Sequence, residues 1–123
     1  MRRLWLGGAL LLAACAPRLQ PPVTYAAARS EVMATVAQTV EADTRAPGGW
    51  NIVQRDEGYL KAEARSPRPI SSGPNAGIPE SVTVTVAVSG DSTVASVAIS
   101  TSPAAAYLEG MITGALDARF KRR

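Results

Sequence analysis

The stretch Glu80 to Ser89, ESVTVTVAVS, constrains the chain most. Val82, Val84, Val86 and Val88 fall on one side of an extended strand, and Thr83, Thr85 and Ala87 on the other. A period of two with β-branched residues specifies a strand buried on one face only. Gly90-Asp91 reads as a two-residue hairpin turn, with Asp91 a turn residue rather than a catalytic acid. The register that follows sets Val88 opposite Thr93, Val86 opposite Ala95, Val84 opposite Val97 and Val82 opposite Ile99.

A second hairpin precedes it. Trp50 to Arg55 and Tyr59 to Arg65 flank Asp56-Glu57-Gly58, a three-residue loop with Gly58 expected in the left-handed conformation. Pairing Trp50 with Ala64, Ile52 with Ala62 and Gln54 with Leu60 gathers the apolar residues on one face. A slip of one residue would set Ile52 against Glu63. Tyr59, Lys61, Glu63 and Arg65 then face the other way. Between the hairpins runs 66–79, SPRPISSGPNAGIP, whose prolines and glycines predict a long loop.

Two amphipathic helices bracket the strands. Thr24 is placed to cap a helix running to about Asp43. Tyr25, Ala28, Val32, Val36 and Val40 recur at three- and four-residue spacing, widened by Met33 and Ala37. Pro47, Gly48 and Gly49 end that segment. Ser102 followed by Pro103 predicts a cap and first helical position, with a helix continuing to the C-terminus. Leu108, Met111, Ile112, Ala115, Leu116 and Phe120 line its apolar face. Lys121, Arg122 and Arg123 are expected in its last turn, favourable to the helix dipole. Ala106, Gly110, Gly114 and Ala118 form a four-residue stripe expected to pack closely on the sheet or the first helix. The predicted fold class is α+β, in the order α-β-β-β-β-α. It is a two-layer sandwich with a four-stranded antiparallel sheet and two helices on one face, most simply a meander.

The N-terminus carries a different signal. Arg2 and Arg3 precede an apolar run from Leu4 to Leu12 of nine residues, short of the roughly 20 needed to span a bilayer. The run ends in Leu12-Ala13-Ala14-Cys15, which resembles the lipobox of bacterial lipoproteins. The resemblance implies cleavage between Ala14 and Cys15 and a diacylglyceryl thioether on Cys15, the chain's single cysteine. Residues 1–14 are then a signal peptide, 15–23 a lipidated cysteine with a Pro-rich tether, and 24–123 one α+β domain. The eight residues 16–23 extend to roughly 25 Å. Ala16 lacks the aspartate that retains such proteins in the inner membrane. The expected location is therefore the outer membrane facing the periplasm, or the outer leaflet of the cytoplasmic membrane in an organism with only that one.

Composition narrows the function. The net charge of +3 falls to +1 once Arg2 and Arg3 are removed, and no arginine–aromatic platform offers a footing for nucleic acid. The absence of histidine removes the commonest general base and metal ligand. Ser71, Ser72 and Ser100 lack a partner to activate them, and Lys61 reads as a sheet-surface residue. No cofactor, metal or catalytic residue is predicted.

With its tether, its Trp-x-Ile-Val strand at Trp50, its Gly-Tyr-Leu-x-Ala-x-Ala-Arg strand from Gly58 and its closing helix, the chain resembles small bacterial envelope lipoproteins. In layout it is similar to the helix-grip domains of a lipoprotein accessory subunit of the outer-membrane β-barrel assembly machine. The resemblance implies a membrane-anchored, non-enzymatic accessory or interaction module with an envelope protein as partner. Tyr59, Lys61, Arg65, Arg68, Thr83 and Thr85 are the candidates for that contact. The alternative is a binder of a small lipid, glycan or peptide held between sheet and helices, where Ala62, Ala64, Ala95 and Ala115 leave room.

Overall fold

The computed structural model describes residues 21–46, 48–66, 80–89 and 93–123. The lipobox with Ala14 and Cys15, the tether as far as Gln20, Arg68 with most of its loop, and the turn at 90–91 lie outside these residues. The fold is α+β, with one antiparallel sheet and two helices. Its elements are β1 (Val23–Tyr25), α1 (Arg29–Ala42), β2 (Trp50–Arg55), β3 (Tyr59–Ala64), β4 (Ser81–Ser89), β5 (Val94–Thr101) and α2 (Tyr107–Arg119). A 3-10 turn, Pro103–Ala105, leads into α2.

The sheet has five strands in the order β1-β5-β4-β3-β2, not the four expected. Four of them form the predicted meander, and β1 adds to the far side of β5. Val23 pairs with Val97 and Tyr25 with Ala95, so their side chains join the core, while Thr24 opposite Ser96 faces outward. Tyr25 therefore does not belong to the first helix, and Thr24 does not cap it. Residues 23–25 are too short to display alternation, and Tyr25 lies three positions before Ala28, which imitates a helical stripe. Ala28 is still extended, so α1 starts only at Arg29.

α1 buries Val32, Met33, Val36, Ala37 and Val40, and α2 buries Leu108, Ile112 and Leu116. They share one cluster with Leu60, Ala62, Ala64, Val82, Val84, Val86, Ala95 and Val97 from a single face of the sheet. Burying this apolar surface is the main favourable term holding the layers together. Thr35 is also buried, and its hydroxyl donates to the Glu31 carbonyl at 3.0 Å while accepting from Arg119 Nη1 on α2 at 3.0 Å. That bond ties the helices without leaving an unpaired hydroxyl.

The β4–β5 register departs from expectation by two residues. Val82 pairs with Thr101, Val84 with Ile99, Val86 with Val97 and Val88 with Ala95. A shift of two preserves which side chains face inward, so the valine pattern alone does not distinguish the two registers. In β2, Trp50 opposes Ala64 and Ile52 opposes Ala62 as predicted. A bulge between Ile52 and Gln54 then pairs Gln54 with Lys61 and Arg55 with Leu60. Val53 is the extra residue. The polar Gln54 moves to the outer face, and Arg55 takes the inward register position.

Gly58 is not left-handed; Gly48 and Gly49 are, at φ 73° and 78°. What Gly58 serves is close approach. Its carbonyl accepts from the Val86 N–H at 2.8 Å, and a Cβ there would stand 3.0 Å from the Val86 carbonyl oxygen.

The expectations for the last helix need three corrections. Ser102 and Pro103 do take the cap and first positions, but of the 3-10 turn, without a capping bond from the Ser102 side chain, and α2 itself starts only at Tyr107. The Ser102 hydroxyl donates to the Glu80 carboxylate and accepts from the Ser81 N–H at 3.0 Å, joining the start of β4 to the end of β5. The small-residue stripe Ala106, Gly110, Gly114 and Ala118 is exposed, and beyond their own stretch of helix nothing lies within 4 Å of a Cβ built on either glycine. Finally, the helix ends at Arg119, and Phe120 is extended. Lys121 to Arg123 run beside β1 instead of forming a last turn, with Arg122 bridged to Tyr25.

Candidate functional site

The sheet brings four of the predicted contact residues together. Tyr59 lies opposite Thr85 and Lys61 opposite Thr83. Both pairs stand on the face away from Leu60 and Ala62, because side chains alternate along β3 and β4. The neighbouring strands extend this face. Gln54 lies beside Lys61, Asn51 beside Glu63, Ala98 beside Thr85 and Ser100 beside Thr83. At the β1 edge the Thr24 hydroxyl is 3.5 Å from that of Ser96. The result is a largely polar surface of hydroxyls, amides and one phenol, interrupted by Ala87 and Ala98, with Lys61 and Glu63 as its charges among the described residues. Thr85, Ala87 and Ser100 are exposed; Tyr59, Lys61 and Thr83 are half-buried by their neighbours in the sheet.

Arg65 lies one residue past the end of β3; its N–H donates to the Gly49 carbonyl at 2.9 Å, continuing the pairing with β2, and it borders a cleft with Glu41, Asp43 and Trp50. Arg68 and Cys15 lie outside the described residues. Ala62, Ala64 and Ala95, expected to leave room for a ligand, are buried within the core cluster, and Ala115 is half-buried.

Two polar constellations were not anticipated. Asp43 sits just past α1 and is 4% exposed. Its Oδ2 accepts from Trp50 Nε1 at 2.8 Å and from the Tyr107 hydroxyl at 2.6 Å; its Oδ1 accepts from the Arg45 N–H at 3.3 Å. Burial works against the charged carboxylate, but the bonds from Tyr107, Trp50 and the backbone amides of Arg45 and Ala46 outweigh it and hold its pKa below the ordinary value. The Arg45 guanidinium lies 5.2 Å from the Tyr107 ring centroid. This carboxylate joins α1, β2 and α2 at one point, so its evident work is structural.

The second constellation fastens the C-terminal tail. Arg122 donates to both oxygens of Asp117, at 2.7 and 2.8 Å, and the Tyr25 hydroxyl donates to Asp117 Oδ1 at 2.9 Å. The Arg122 guanidinium, ahead of the Tyr25 hydroxyl, keeps the Asp117 carboxyl below its usual range. Burial, reinforced by the Asp117 carboxylate, pushes the Tyr25 phenol up to about 12. Residues 25 and 117 stand 92 positions apart, so no local pattern announces the contact.

Among the described residues, no group of three Cys, Asp or Glu side chains is arranged to hold a metal ion. No described helix is long and apolar enough to cross a membrane. The chain matches no protein-family model, and no curated protein matches it.

Proposed function

We propose that this chain is a lipid-anchored protein of the bacterial envelope, tethered through Cys15 at the outer membrane facing the periplasm. Its domain acts as a non-enzymatic interaction module and meets an envelope protein through the outer face of the sheet. The observation that carries this reading is the largely polar face on which Tyr59, Lys61, Thr83 and Thr85 stand together. Tyrosine supplies contact area with little conformational entropy to lose, and short hydroxyl side chains adapt their hydrogen bonds to a partner. Anchoring draws on Leu12-Ala13-Ala14-Cys15, since two or more acyl chains give stable attachment where one does not.

A photo-crosslinking residue placed at Thr85 of the full-length protein, in membranes of its own host, tests the module. The expected result is one dominant crosslinked envelope protein, lost when Tyr59→Ala and Lys61→Glu are combined. Crosslinking that is diffuse, or unmoved by that pair, would overturn the assignment of the face. Cys15→Ser tests the anchor separately and should move the protein out of the membrane fraction; retention there would refute lipidation at Cys15.

A further inference from the structure

A second surface lies on the opposite side of the sheet, at the tip of the β2–β3 hairpin. The bulge in β2 pairs Arg55 with Leu60, which gives Arg55 a register position on the side that carries the core. Arg55 there lines an open cleft of about 650 Å³ with Arg29, Ser30 and Met33 from α1 and Val88 from β4. Met33 is 3% exposed and Val88 half-buried, so part of the cleft wall is apolar.

The charges around the cleft, Arg29 and Arg55 against Asp56 and Glu57, sum to zero, but they are not equally engaged. Glu57 is engaged by Arg29, whose Nη2 donates to Oε2 at 2.7 Å. Asp56 accepts the Gly58 N–H on Oδ1 at 2.9 Å, which fixes its carboxylate in the turn. Arg55 has no hydrogen-bond or ion-pair partner among the described residues. An unpaired guanidinium next to apolar wall, in a cleft of small-molecule size, suits a ligand with one anionic group and a compact apolar body.

We propose that this cleft binds a small carboxylate of that kind. The carboxylate meets the Arg55 guanidinium in a two-pronged hydrogen bond, and the apolar part lies over Met33 and Val88. The Arg29–Glu57 pair forms the opposite wall. The site shares no residue with the outer sheet face and does not depend on the anchor at Cys15, so either reading can fail without the other.

The test is isothermal titration calorimetry of 4-phenylbutyrate into the full-length protein as purified from its host in mild detergent, with the same detergent solution as the blank. Saturable binding is expected, weakened about tenfold or more by Arg55→Gln and distinctly less by Arg55→Lys, which keeps the charge. The neutral 4-phenylbutanol and the short acetate should each bind about tenfold more weakly than 4-phenylbutyrate. No saturable heat, equal binding by Arg55→Gln, or equal binding of 4-phenylbutanol would overturn the site. Equal binding of acetate would overturn the part given to Met33 and Val88. Arg55 is exposed, so the variant should keep the thermal stability of the parent; a common unfolding midpoint for the two proteins is the control.

Discussion

The two edges of the sheet are finished in different ways. At the β1 edge the chain covers itself. The Ala26 N–H donates to the Lys121 carbonyl at 2.9 Å, the Arg123 N–H donates to the Thr24 carbonyl at 2.8 Å, and Asp117 holds both Tyr25 and Arg122. At the β2 edge no described residue pairs with the strand, which carries a bulge and the exposed Val53 instead. Open edges invite pairing with other chains, and a bulge is one of the devices that discourages it. One edge is thus closed by long-range contacts that hold the fold together. The other is protected by a local distortion that contributes little to stability, and that same distortion sets Arg55 on the side of its cleft.

Substitutions at the two edges should therefore differ sharply in cost. Tyr25→Ala removes a fully buried ring and its bond to Asp117, and should destabilise the domain by about 3–5 kcal/mol in urea unfolding. A loss no larger than that of a surface change would mean that β1 and the tail are ornamental. Trp50→Phe at the other edge keeps an aromatic ring in the core but leaves a smaller side chain and withdraws a donor from the buried Asp43; a loss of about 1–3 kcal/mol is expected by the same assay.

The closed edge also carries a pH signature. The Tyr25 phenol titrates higher in the folded chain, at about 12 against 10.0, so the folded state keeps its proton where the unfolded state has lost it. The stability this contributes is fully present below pH 10 and is lost as pH rises towards 12. Thermal unfolding of Tyr25→Phe should lack that component of the alkaline decline; a profile parallel to the parent would remove the phenol from the account. Arg122→Gln breaks an ion pair between exposed groups, so a small and salt-sensitive drop in unfolding midpoint is expected. Smallest of all, Val53→Thr should stay within about 0.5 kcal/mol of the parent. A larger loss would show that the open edge is covered in the intact protein.

Periodicity was enough to recover what local patterns encode. The valines of β4 fix its inward face, the Trp50–Ala64 and Ile52–Ala62 pairs hold, and the apolar stripes of both helices are buried largely as expected. What escaped is non-local. β1 owes its place in the sheet to Val97 and Ala95, 74 and 70 positions from their partners Val23 and Tyr25, and three residues show no alternation of their own. The β4–β5 register moved by two because both choices bury the same valines. The grouping of Tyr59, Lys61, Thr83 and Thr85 was legible because it depends on alternation, which neither change disturbs. The cleft that Arg65 borders was not, because it is shaped by Glu41 and Asp43 at the end of α1, more than 20 positions away. The bulge that sets Arg55 inward was hidden too, although the awkward inward position of Gln54 in the regular register was its one available hint.

The bridge between Tyr25 and Arg122 has a consequence for how such a chain is made. Synthesis proceeds from the N-terminus, so β1 is among the first parts of the domain to leave the ribosome, yet β5 and the tail that complete its surroundings are among the last. The sheet edge has nothing to close on until the residues after α2 have emerged, so this part of the fold forms only through contacts of long sequence separation. The residues that follow α2 thus act as a latch: until they reach β1, the first strand of the domain has no finished edge to join.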